Sequence, residues 1–139
     1  MPIVVDEQKI MSTLIVIHGL IRWLVAMVAI IGIVKFVLGW LQKMSYTNMD
    51  RGLMSGYTGL LDLNFLLGLI ILIFGGGFTS QRIEHAGTMF IAIAIAHSAA
   101  AWRKSDDAQK KFRNNLVVLL VSLLFIFVGV VRLRGGWFF

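Results

Sequence analysis

Three histidines, His18, His85 and His97, lie inside long apolar runs of a chain that has no cysteine. A neutral imidazole nitrogen ligates metal ions and haem iron, and the ring can also carry a proton or pair with a carboxylate. Arg22 stands four residues beyond His18, so on a helix the two share one face. Glu84 directly precedes His85, and Lys35, Asp62 and Asn64 place further polar groups in apolar surroundings. A lone charge at mid-membrane costs on the order of 3 kcal/mol on insertion scales, so in a bilayer Arg22 and Asp62 need partners.

The elements that must position these groups follow from composition. Of 139 residues, 58% are hydrophobic and 14% charged, which places the chain in a bilayer. A spanning helix needs about 20 mostly apolar residues, which leaves room for four spans over residues 13–40, 57–74, 83–102 and 116–131. Pro2 is the single proline, so every span can be continuous helix. The segment 43–56, which holds Tyr46, Asp50 and Arg51, reads as the first polar connection, and the charged segment 103–115 as the third. Gly75, Gly76 and Gly77 end the second span, and Thr79 or Ser80 is placed to cap the next helix, with Glu84 in its first turn. Arg132, Arg134 and the aromatic tail 137–139 finish the chain at an interface. The start of the chain has no basic run followed by a small-residue cleavage site, so no cleaved signal peptide is expected. The expected fold is all-α, a transmembrane four-helix bundle forming a single integral membrane domain over residues 1–139.

Lys43, Arg51, Arg103, Lys104, Lys110, Lys111 and Arg113 fall in the first and third connections, against Lys9, Arg82, Arg132 and Arg134 on the other side. Basic residues favour the cytoplasmic side, so both termini are expected on the outer side. The net charge of +6 collects at helix ends, where anionic headgroups favour it, which argues for a lipid partner and against nucleic acid.

With that orientation, His18, Arg22, Glu84 and His85 come to one depth near the outer surface, with Arg22 reaching Glu84. Asp62, His97 and Lys35 form an inner layer, with Asn64 close by. Two histidines on facing transmembrane helices form the ligand set for haem b, so His18 and His85 are the candidate iron ligands, and Arg22, or alternatively Arg132 or Arg134, a partner for a propionate. The face of His85, Met89, Ala92, Ala96 and Ala100 either leaves room for a flat macrocycle or is a packing seam of small residues. Zinc is a poorer reading because adjacent Glu84 and His85 project about 100° apart on a helix. No nucleophilic triad, phosphate-binding glycine loop or CxxC motif is present.

His18-x3-Arg22-Trp23, a polar pair at Asp62 and Asn64 followed by Leu66-Leu67-Gly68, and Glu84-His85 together resemble a group of small bacterial four-helix membrane proteins often labelled cytochrome b-like. In that group a histidine often stands where this chain has Asp62, and Gln where it has Asn64. The departure leaves His18 and His85 as the haem-ligand pair. The resemblance implies a haem- or quinone-linked electron-transfer component, multi-pass in the bacterial inner membrane and free-standing or within a larger complex. Two other readings use the same residues. In one, the chain is a cofactor-free accessory subunit of a respiratory or photosynthetic complex, and its polar layers only fix helix packing. In the other, Asp62, His97 and Lys35 conduct protons or ions.

Overall fold

The computed structural model describes residues 6–137. Pro2, Phe138 and Phe139 lie outside the described residues. Four helices, α1 (Glu7–Leu41), α2 (Asn48–Phe74), α3 (Ser80–His97) and α4 (Ala108–Arg134), make up the fold. α3 continues into a tighter 3₁₀ segment, Ser98–Trp102. With that extension of α3 included, all four are long and apolar enough to cross a membrane. Large apolar side chains such as Ile30, Leu41, Phe74 and Phe90 point away from the bundle, 62–72% exposed.

Every helix starts earlier than hydropathy suggests, because the starts are set by capping groups. Asp6 accepts hydrogen bonds from the Gln8 and Lys9 amides and begins α1 ahead of its apolar run. Its 35 residues extend roughly 50 Å at 1.5 Å per residue, well beyond a hydrocarbon core. Thr47 and Asp50 close a capping box, the Thr47 amide donating to Asp50 Oδ2 at 2.8 Å. The expected first connection is therefore helical from Asn48 onward. Asp107 accepts from the Lys110 amide and starts α4 inside the expected third connection. Thr79 caps α3 as expected, accepting from the Arg82 amide at 3.3 Å. Because α3 begins at Ser80, Glu84 falls past its first turn.

α1 packs between α2 and α4, and α3 lies mainly on α4, with a thinner seam to α2. α1 and α3 are thus diagonal partners across the bundle interior. Small residues let α4 approach both neighbours. A Cβ on Gly32 would stand 2.9 Å from Leu119, and one on Gly129 would stand 2.5 Å from Met89. Ala92 and Ala96 are fully buried, which makes their face of α3 a packing seam. Deeper in the core, Tyr57 of α2 and Ser122 of α4 share a hydrogen bond of 2.5 Å.

Candidate functional site

A cavity of about 450 Å³ opens among all four helices at the end of the bundle where α1 and α3 begin and α2 and α4 finish. Along α2 it runs from Leu61 to Gly75, roughly 20 Å at 1.5 Å per residue. Its walls are mostly apolar, supplied by Leu61, Phe65, Leu69, Met89, Ile93, Ile126 and Val130. Its polar lining comprises His18, Arg22, Asn64, Arg82, His85 and Arg134, with no Asp or Glu among the described residues that line it. The cavity is therefore positive overall and sized within the roughly 300–1,000 Å³ range of small-molecule sites.

His18 and His85 meet across this space from the diagonal helices α1 and α3, with ring centres 6.3 Å apart and planes at 80°. The His85 Nδ1 and the Gly129 carbonyl are hydrogen-bonded at 3.0 Å. A carbonyl oxygen only accepts, so Nδ1 carries the proton in this bond and Nε2 keeps its lone pair. The His18 ring lies against Gly68 of α2, where an added Cβ would stand 3.0 Å from Cε1. His18 also faces Asn64 of α2, whose side chain and backbone both interact with the imidazole. Arg22 Nε is buried on the same lining without a hydrogen-bond partner among the described residues.

The four residues expected near the outer surface do share one end of the bundle, but their pairing differs. Glu84 is taken by Arg132, whose Nε donates at 3.1 Å and whose second nitrogen lies at 2.5 Å. Arg22 lies instead between aromatic faces, 5.4 Å from the centre of the Trp23 ring and 5.3 Å from that of Trp137. Trp137 reaches this position because Gly135 adopts a left-handed φ of +79° after α4 and turns the chain back over the bundle. The inner layer also divides. Asp62 and His97 pair as expected, at 2.8 and 3.0 Å, on the α2–α3 side with both side chains about half exposed. Lys35 is not part of that pair. It meets the fully buried Asp50 at 2.9 Å, because the early start of α2 brings Asp50 into the bundle. Asn64 belongs to the His18 cavity and not to the inner layer.

Of the alternative propionate partners, Arg134 lines the cavity and Arg132 does not, while Arg82, legible only as an interfacial charge, lines it too. The Arg82 guanidinium donates to the carbonyls of Ile71 at 2.8 Å, Gly75 at 3.2 Å and Gly77 at 2.5 Å, closing the C-terminal end of α2. The sequence signal was a cation shortly after a triple glycine. Among the described residues no three His, Asp or Glu side chains converge as a metal-binding group. No family model, curated protein or solved structure matches the chain, and its function is therefore argued from this geometry.

Proposed function

We propose that the chain is a small integral membrane protein that holds haem b between His18 and His85 and takes part in membrane electron transfer. The observation that carries this reading is the pair of diagonal imidazoles that line a positive, mostly apolar cavity. With ring centres 6.3 Å apart on facing helices, His18 and His85 are the residues that would hold the iron. When bound, the haem iron supplies one-electron chemistry by alternating between its ferric and ferrous states.

The chain's own residues hold and tune such a group. The Gly129 carbonyl fixes the His85 tautomer and ring orientation. Gly68 leaves room for the His18 ring. Arg22, steadied by Trp23 and Trp137, and Arg134 on the same lining are placed to meet propionate carboxylates. The apolar walls keep the site in a low dielectric, one of the levers on haem potential. The distribution of basic residues supports termini on the outer side of a bacterial inner membrane. A quinone is the competing occupant, since an imidazole and a guanidinium also donate to a carbonyl oxygen.

The half-exposed Asp62–His97 pair favours a second reading, a subunit that docks another membrane protein along its α2–α3 side. Absorbance of the purified protein, expressed with ample haem supply, tests the first. A Soret band with sharp α and β bands on reduction is expected, lost in both His18→Ala and His85→Ala. A colourless folded preparation, or bands that persist in both variants, would overturn the haem reading and leave the quinone and accessory-subunit readings.

A further inference from the structure

A second, smaller cavity of about 100 Å³ lies at the opposite end of the bundle, where the first turns of α2 meet the 3₁₀ end of α3 and the start of α4. Among the described residues three Lys or Arg side chains line it, Arg51 from α2, Arg103 just after the 3₁₀ segment and Lys111 from α4, and no Asp or Glu does. None of the three is paired with a carboxylate among the described residues. Arg51 reaches only the Asn48 side chain, at 3.3 Å, and Lys111 lies 4.8 Å above the centre of the Tyr46 ring. Asp50, the acidic residue beside Arg51 in the chain, is already held by Lys35 and Thr47.

A chain of oriented hydrogen bonds ends at the same place. Trp102 Nε1 donates to Asn115 Oδ1 at 2.7 Å, and Asn115 Nδ2 donates to the Tyr46 hydroxyl at 2.8 Å. The Tyr46 oxygen thus accepts within the protein, and its proton remains to be donated to an acceptor in the cavity it lines. Ser55 adds a second hydroxyl. Three uncompensated cations with hydroxyl donors, in a space far below the roughly 300 Å³ of the smallest organic-ligand pockets, suit a compact oxyanion. The position, at the ends of membrane-length helices and beside Trp102, is where lipid headgroups lie.

We propose that this cavity binds a phosphate group, carried by an anionic phospholipid headgroup or as free inorganic phosphate. The site is independent of the haem reading, since it shares no residue with the larger cavity.

Native mass spectrometry of the delipidated full chain tests it, by titration with phosphatidylglycerol, phosphatidylcholine and inorganic phosphate in separate arms. If the source is lipid, one phosphatidylglycerol binds at least about tenfold more tightly than phosphatidylcholine. If it is free phosphate, inorganic phosphate binds and competes with phosphatidylglycerol. Either preference is expected to fall by about tenfold or more in Arg103→Gln/Lys111→Gln, and to survive in the control Lys9→Gln/Lys43→Gln. Tyr46→Phe keeps the ring and removes the hydroxyl, both the donor into the cavity and the acceptor of the Asn115 amide, so it carries the test should the double variant fail to fold, with an expected loss of about threefold or more. Equal binding of both lipids without phosphate binding, unchanged binding in the Arg103/Lys111 and Tyr46 variants, or an equal loss in the control would overturn the proposal.

Discussion

Gly68 and His18 touch across the α1–α2 interface, so closely that a side-chain carbon on Gly68 would stand 3.0 Å from His18 Cε1. The imidazole keeps its place in the cavity because that position of α2 has no side chain. Gly68→Ala asks the ring to give by a few tenths of an ångström, whereas Gly68→Val adds two further carbons that must displace it. Haem content per chain, read from the Soret band of the purified protein, is expected to fall modestly in the alanine variant and to be lost in the valine variant. Helical content by circular dichroism should stay unchanged in both. Full haem content in Gly68→Val would show that His18 does not hold the group.

Lys35 and Asp50 form the pair with the greatest structural consequence, since Asp50 is fully buried and its partner only partly exposed. Removing one member leaves a charge without compensation, which costs about 3–5 kcal/mol for buried pairs. Lys35→Met is expected to lower the thermal midpoint in detergent strongly. Asp50→Asn in the same chain should recover most of the loss, because the amide oxygen can still accept from Thr47. A double variant no more stable than Lys35→Met would count against the pair as the cause.

The four helices were legible in the sequence because apolar runs of membrane length admit few alternatives. The starts of α2 and α4 were not legible from hydropathy, since Thr47, Asp50 and Asp107 act through local hydrogen bonds inside segments whose charge reads as loop. The meeting of His18 with His85 followed from depth alone, because the two lie about three and one and a half turns inside helices that begin at the same end of the bundle. Which acid takes which base did not follow. Arg22 and Arg132 lie at comparable depths, and only the rotation of α4 and the turn at Gly135 give Glu84 to Arg132 and Arg22 to the tryptophans. Lys35 was misassigned for a related reason, since Asp50 enters the bundle only once the capping box makes it helical.

Tyr46 predicts an alkaline loss of stability. Burial, with Asp50 nearby adding to it, raises its phenol above the ordinary tyrosine range, while the Asn115 hydrogen bond acts the other way. A raised folded-state value means that the folded chain keeps a proton which the unfolded chain releases above about pH 10. Stability is therefore full below that pH and declines as pH rises through the folded-state value. In thermal midpoints measured from pH 8 to pH 11.5, Tyr46→Phe should show a shallower alkaline decline than the parent. Parallel profiles would exclude Tyr46 as the group responsible.

Gly39 and Phe112 give a prediction about packing alone, separate from any ligand. A Cβ on Gly39 would stand 2.5 Å from the Phe112 ring, and Gly32, seven residues earlier on the same face of α1, meets Leu119 in the same way. The α1–α4 interface is thus built on two glycines, each filled by a large side chain from α4. Gly39→Ala should cost about 1–3 kcal/mol, the usual range for overpacking, because the Phe112 ring is fully buried and also packed against Phe36 and Tyr46. Phe112→Leu alone should also destabilise by removing ring volume. In combination the smaller leucine has room for the new methyl group, so the double variant should be more stable than the sum of the single effects. Thermal midpoints of the parent, both single variants and the double variant measure that coupling, and strict additivity would mean that α1 moves away from α4 instead of the ring yielding.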